Sequence, residues 1–577
     1  MSNKKGVAER RQAPPSKAAA RYPTSFWLLV AAAFAVVWWA YWPALRGPFM
    51  FDDTVLPFAL PSFSAPLSAW VRGVRPVLML TYWVNATLSG GDTFSYHAVN
   101  VLLHCCTTAL VFLIMRRLEE WAGVMHSRRN LLAGFAAAIF LLHPIQTEAL
   151  AYPAGRSEAV SVMLAYAAFT VFLYRSQTGI TWGRAAAALA LFLLALFSKQ
   201  HVIAIPVLFL LTDYWWNPGS ALKGIRGNWR LYLPMAAGAA AGVAFFWKIM
   251  LQSQSAAFQL KDLTLYQYLF TQFRALFVYP RLFLLPVDQD LDWDFPISRT
   301  LLDHGSIVGL VVLSAQVGAA LYYRRRFPLA TYGLFVYLVL MAPTSSILPI
   351  KDPPAERRLY LSMLGLLLIV VDVLARIHIK RRTLSYTCAA AALLAAFATH
   401  SRAALWGDPV ALWEDAARKS PPKPRTHFQL AVAYTDAQRY GAAVAEFQKT
   451  AKIDKPDYNL LVDWALAYDA MNHPDDALAK LWQAAALEPT AHVYSQIGMS
   501  YAKRQQYPEV LEALAPAEKT NPGWAPTFNY RAKIRFRQND YAGAVADYRG
   551  ALVLDPTLAD AREELARVEA VQMRAGH

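Results

Sequence analysis

Apolar stretches long enough to cross a bilayer recur through the first two thirds of this chain, and that repetition leaves few folds open. No water is available inside a bilayer to satisfy an open backbone, so each such stretch is predicted to be a helix. The stretches lie near 26–45, 97–115, 131–151, 158–174, 183–198, 201–216, 231–250, 305–322, 329–348, 359–376 and 384–400. They make about eleven spans. At 577 residues, 56% hydrophobic and 13% aromatic, the chain far exceeds one soluble core and leaves room for a second domain.

The basic residues set the orientation. Lys4, Lys5, Arg10, Arg11, Lys17 and Arg21 face a single acid, Glu9, ahead of the first span, and Pro14-Pro15 discourages helix. Residues 1–24 are therefore predicted to be a disordered cytoplasmic tail, and the Trp-rich first span an uncleaved anchor. Arg116, Arg117, Arg128 and Arg129, then Lys223, Arg226 and Arg230, then Arg324 to Arg326, then Lys380 to Arg382 mark alternate connections as cytoplasmic. The stretch 266–286 carries Gln272, Arg274 and Pro280 and reads as interfacial or re-entrant. This threading puts the C-terminus and the loops near 51–53, 143–156 and 351–358 on the outer side. It also explains the net charge of +16 without nucleic acid, since the cations flank apolar segments. Cys105, Cys106 and Cys388 all lie in apolar helices and form no disulfide framework.

From about 403 the hydropathy falls and a period takes over. Pro456, Pro489, Pro522 and Pro556 recur at intervals of 33, 33 and 34, in step with Tyr440, Pro474, Tyr507 and Tyr541. Three residues after each of the latter stands Ala443, Ala477, Val510 or Ala544, small enough for two helices to approach closely. The pattern resembles tetratricopeptide repeats over 403–577, with "LWEDAARKSPPKP" as a preceding half-repeat. Such units stack into a solenoid whose concave face takes an extended peptide or a partner helix, or serves as a cap or oligomerisation arm.

Acidic side chains at the face of so apolar a domain cost solvation unless they serve a function, and Asp52-Asp53 follows directly on the first span. Other polar outer segments are "HPIQTEALAYPAGRSE" at 143–158, "SKQH" at 198–201 and "PPAERRLYL" at 353–361. With "RPVLMLTYWVNATLSG" and "YHAVNVLLH", these motifs resemble the transmembrane and tetratricopeptide-repeat O-mannosyltransferases and their bacterial relatives, within the GT-C superfamily. The resemblance covers nearly the whole chain. It implies an all-α fold: a polytopic GT-C-type domain over 25–402, then a tetratricopeptide-repeat α-solenoid over 403–577.

What the resemblance further implies is an inverting glycosyltransferase. It would move mannose or a similar hexose from a polyprenyl-phosphate carrier to Ser/Thr hydroxyls of exported proteins, with the repeats holding the acceptor polypeptide. The chain carries no Walker-type loop and no dinucleotide-binding glycine fingerprint, in keeping with a lipid-linked donor. Asp52 and Asp53 are the candidates for the base, with Asp53 favoured on the expectation that neighbours on an extended loop point apart. Arg357 and Arg358 lead the donor-phosphate candidates, followed by Arg156, Lys199 and His201. Arg156 pairing with Glu158 or Glu148 to hold its loop is the alternative role. His143, Glu148 and Glu158 are supporting candidates. No cofactor is obligatory; a divalent cation is left open, with His97 and His104 the weak candidates to hold one beside the Asp pair.

Relatives tend to carry Lys-Glu where this chain has Lys199-Gln200, which leaves the sugar and the metal dependence open. The Ala- and Arg-rich composition points to a bacterial inner membrane, with the site and the repeats periplasmic. Competing readings keep the same chemistry on a glycan or lipid acceptor, or make the chain a non-enzymatic scaffold that docks proteins through its repeats.

Overall fold

A computed structural model describes residues 24–60, 64–176, 179–216, 221–252, 263–346 and 349–575, so the basic tail falls outside the described residues apart from Thr24. Every apolar segment singled out above is helical over most of its length. Among the described residues no strand forms, and an isolated bridge joins Ser176 and Gly179.

Among the described residues, six helices are long and apolar enough to cross a membrane: Trp27–Ala44, Thr93–Trp121, Pro153–Leu173, Asp303–Tyr323, Glu356–Arg376 and Arg381–Trp406. The bent pair His126–Leu142 and Pro144–Leu150, 48° apart, makes a seventh if counted as one span. Trp182–Leu196 and Pro328–Met341 are apolar but shorter. By length and composition the described helices thus stop short of eleven. The stretch 266–286 forms two short helices, Leu265–Ala275 and Val278–Leu284, of 11 and 7 residues, neither of spanning length.

Local chemistry sets the helix ends. Asp92 accepts the Ser95 amide at the start of Thr93–Trp121, and Thr264 with Gln267 forms a reciprocal cap on Leu265–Ala275. Helices Pro328–Met341 and Leu359–Arg376 cross where Gly333 meets Gly365. A Cβ at Gly333 would sit 2.5 Å from the Gly365 carbonyl oxygen, so only glycine permits this approach. The crossing helps close a continuous core with buried Phe140, Tyr166, Tyr332 and Tyr360.

The tail builds four helix pairs in the predicted register: Pro424–Asp436 with Tyr440–Ile453, Tyr458–Ala470 with Pro474–Leu487, Ala491–Lys503 with Tyr507–Thr520, and Ala525–Arg537 with Tyr541–Leu554. Ala443, Ala477, Val510 and Ala544 are buried where the paired helices meet. The half-repeat is the helix Pro409–Lys419, started by Asp408, and Ala559–Ala575 closes the far end. Within each pair the chain reverses through a residue with left-handed backbone, Gln438, Asn472, Gln505 and Asn539, at φ 59°, 61°, 60° and 64°. Each is followed by an amide that reaches back to the preceding helix, as His473 N–H does to Tyr468 O at 2.9 Å.

Glycine fits that backbone without the cost of a side chain. Replacing Gln505 with Gly is expected to stabilise the array by about 0.5–1 kcal/mol, read as a higher urea midpoint, and Gln505→Ala to give no gain. Equal midpoints for the two variants would show that the left-handed turn carries no strain.

Candidate active site

After the first span the chain turns through Pro48 to Phe51, and Phe51 itself has left-handed backbone at φ 50°. That conformation costs a bulky residue about 1–2 kcal/mol. Aromatic edges hold it there: Tyr152, Trp406 and Trp413 surround the Phe51 ring at 5.9, 6.2 and 5.4 Å between centroids. The forced reversal leads into a tight 3₁₀ turn, Phe51–Val55, in place of the extended loop expected from sequence. It separates the two acids all the same, leaving Asp52 exposed and Asp53 buried.

Asp53 is fully enclosed. Its Oδ2 accepts the Met50 amide at 3.1 Å and its Oδ1 the Ala154 amide at 2.6 Å. Burial pushes its carboxyl up to about 7, against the pull of those two amides and of Arg156. Both oxygens are committed to the backbone, so the geometry gives Asp53 an anchoring role and moves the candidate base from Asp53 to Asp52.

Asp52 lines a cavity of about 800 Å³ between the membrane domain and the first repeat. Glu148, Tyr152, Asp292, Asp352 and Arg357 form its membrane-domain side, and Trp413, Arg425, Gln429 and Asp436 come from the half-repeat and the first helix of the array. Arg357 reaches the cavity with its side chain 35% exposed and its guanidinium paired to Glu148 Oε1. Its own amide donates to Glu148 Oε2 at 2.7 Å, so Glu148 fixes both ends of the residue.

The other predicted cations are spent elsewhere. Arg156 is wholly buried. It donates to Asn100 Oδ1 at 3.0 Å, Asn85 Oδ1 at 2.7 Å, Tyr96 O at 3.0 Å and Thr81 O at 3.2 Å, with Tyr82 stacked 4.7 Å from its guanidinium carbon. It pairs with neither Glu158 nor Glu148, because neutral acceptors already fill its fork. Arg358 is buried too, donating to the carbonyls of Asp352 and Pro353. Of the adjacent arginines, only Arg357 lines the cavity.

Lys199 and His201 both meet Glu158, Lys199 at 2.5 Å and His201 at 3.1 Å. This cluster does not line the cavity but stands within electrostatic reach of Arg357. Gln200 accepts from Arg75 Nε at 3.3 Å, which adds a cation that the sequence reading did not single out. His143 is architectural: its Nδ1 accepts the Ile145 amide, its Nε2 lies 3.0 Å from the Phe283 carbonyl, and its ring stacks on Phe283. His97 and His104 are buried against the carbonyls of Gly47 and Leu141. Among the described residues no three His, Cys, Asp or Glu side chains are grouped to hold a metal ion.

The sequence reading also missed the seam between the domains. "DQDLDWD" at 288–294 places acids at alternate positions of an irregular segment, and the repeat array docks on them. Asp290 accepts from Ser420 Oγ at 2.7 Å, Lys419 Nζ donates to the Gln289 carbonyl at 2.6 Å, and Lys423 and Arg425 pair with Asp292. The alternation was visible; its partners, more than a hundred residues on, were not.

No protein-family model matches the chain. It is 23% identical over 610 residues to Protein O-mannosyl-transferase TMTC3 of Mus musculus, covering 92% of this chain and 64% of the relative. It is 21% identical over 461 residues to Protein O-mannosyl-transferase F38B6.6 of Caenorhabditis elegans, covering 75% of this chain and 63% of the relative. Over 142 residues it is 36% identical to Protein O-mannosyl-transferase Tmtc1 of Drosophila melanogaster, covering 24% of this chain and 15% of the relative. Its homologues are protein O-mannosyl-transferases. The chain spans just under two thirds of the length of the first two of these relatives. A solved structure of YrrB, a tetratricopeptide-repeat protein with an unusual peptide-binding site, covers 30% of this chain and 86% of its own at 19% identity, with a TM-score of 0.24.

The two acids are expected to separate in a stability measurement. Asp53→Asn turns an amide group toward a backbone donor and is expected to cost about 1–3 kcal/mol, whereas Asp52→Asn stays within about 0.5 kcal/mol of the parent. The folded chain keeps the Asp53 proton to about pH 7, well above the ordinary aspartate range, so this group favours folding most below about pH 4 and loses ground as pH rises to 7. The gap in melting temperature between the parent and Asp53→Asn should therefore narrow from pH 4 to 7. A gap that widens would show the two amides outweighing burial.

Proposed function

We propose that this chain is a membrane glycosyltransferase that moves mannose from a polyprenyl-phosphate carrier to a Ser or Thr hydroxyl of a polypeptide on the non-cytoplasmic side. The observation that carries the reading is the shared cavity: an exposed carboxylate, Asp52, and a partly exposed guanidinium, Arg357, line one space together with the first repeat. The names of the relatives supply the sugar and the protein acceptor.

In this mechanism Asp52 takes the proton of the acceptor hydroxyl as that oxygen attacks the anomeric carbon. The bond from that carbon to the phosphate oxygen breaks, its electron pair leaves with the lipid phosphate, and the configuration inverts. Arg357 stabilises the charge gathering on the leaving phosphate. Glu148 keeps the Arg357 fork aimed while leaving part of it open.

The repeats hold the acceptor polypeptide, with their first helix alongside the cavity. Placing that space outside the cytoplasm follows from the basic connections and suits a bacterial inner membrane with a periplasmic site. A lipid-carried donor is then required, because nucleotide sugars stay in the cytoplasm.

Purified protein in lipid nanodiscs, given polyprenyl-phosphate [³H]mannose and a Ser/Thr-rich peptide, should label the peptide. Asp52→Asn should cut the rate by about 100-fold or more at unchanged melting temperature, and Arg357→Ala should lower it by a similar order. Label reaching only lipid or glycan would reject the protein acceptor. Full activity in Asp52→Asn would reject the assigned base.

A further inference from the structure

The segment that delivers Arg357 to the cavity is held from two domains at once. On the membrane-domain side, Arg358 donates to the carbonyls of Asp352 and Pro353, and Gln272 Nε2 donates to the same Pro353 carbonyl at 3.1 Å. Glu356 accepts from Gln289 Nε2 at 2.6 Å and from the Asp290 amide at 2.8 Å, stitching this segment to the acidic stretch 288–294. A further connection comes from the repeat array. Arg425 Nε donates to Asp292 Oδ2 at 2.7 Å, and its terminal nitrogen reaches Asp292 Oδ1 and, at 2.8 Å, Asp352 Oδ1.

Two carboxylates from different segments thus share one guanidinium, and without it their like charges would push the segments apart. Lys423 cannot take over the bridge, because its ammonium contacts Asp292 and the Trp293 carbonyl and acts on Asp352 only through its charge. Desolvation would raise the Asp352 carboxyl, yet the Arg425 guanidinium holds it below the usual range, the mark of a pair that stays ionised.

Resting on the transferase reading above, we propose that Arg425 of the first repeat is a positioning residue: by bridging Asp292 and Asp352 it sets where Arg357 meets the donor phosphate. The membrane domain alone then lacks a finished donor site, and the first helix pair of the array completes it.

The test uses the full-length protein in nanodiscs with polyprenyl-phosphate mannose and a Ser/Thr peptide. Arg425→Ala is expected to raise the donor KM by about tenfold or more while the peptide KM moves by no more than about twofold. Arg425→Lys should recover only part of the loss, since an ammonium cannot span both acids in the same fork. Adding Asp352→Asn to Arg425→Ala removes the repulsion and should restore several-fold of the donor affinity.

Amide hydrogen exchange gives a readout that needs no turnover. In Arg425→Ala the amides of Asp290 and Arg357 should exchange about tenfold faster or more, with the distal repeats unchanged. A peptide-specific KM change with donor KM intact would overturn the proposal in favour of direct acceptor contact. Unchanged exchange at Asp290 and Arg357 would overturn it outright. If the parent protein transfers nothing, the transferase reading falls, and the exchange experiment alone still decides whether Arg425 fixes this segment.

Discussion

Met50 and Ala154 give their amide hydrogens to the same carboxylate, and the cavity hangs on that knot. The residues joined lie 101 positions from Asp53 to Ala154, so one side chain fixes the exit of the first span against a loop that enters a later one. The loop is secured from its other flank as well. Tyr82 Oη donates to the Pro153 carbonyl at 2.9 Å and Asn100 Nδ2 to the Tyr152 carbonyl at 3.1 Å, while Arg156 gathers four acceptors from neighbouring helices. Gly155 is required in this packing: a Cβ there would stand 2.3 Å from the Ala149 carbonyl oxygen. Glu148 and Tyr152 face the cavity because the backbone carrying them has no freedom left.

Charge is distributed by the same economy. A buried ionisable group is tolerable where partners surround it, and the described chain largely follows that rule around the site. Asp53 has its amides, Glu158 its lysine and histidine, Glu356 its amide donors, and Arg358 its carbonyls. Asp52 and Arg357 differ from these in keeping solvent access. That contrast in exposure, more than the identity of any residue, separates the groups available to a substrate from the groups that hold the scaffold.

Much of this was legible in the sequence wherever the signal was periodic. Apolar runs marked the helices, and the recurrence of Pro456, Pro489, Pro522 and Pro556 gave the register of the array, with the second helices ending two or three residues before each proline. An acidic pair in an apolar setting marked a loop that borders the cavity. Which acid turns outward was not legible, because it follows from the left-handed Phe51 backbone, and that depends on aromatic rings contributed by residues 152, 406 and 413. Arg156 misled for a related reason: a buried guanidinium satisfied by amides and carbonyls looks, in one dimension, like a free cation. Arg425 and Asp292 meet across 133 residues, and no local pattern joins them.

Only the leading end of the solenoid borders the cavity, through the half-repeat and the helix Pro424–Asp436. The three helix pairs beyond it stack on one another and stand clear of the cavity. The length of the array is therefore independent of the cavity: a unit added or removed at the distal end would change the reach of the solenoid and leave the lining residues where they are.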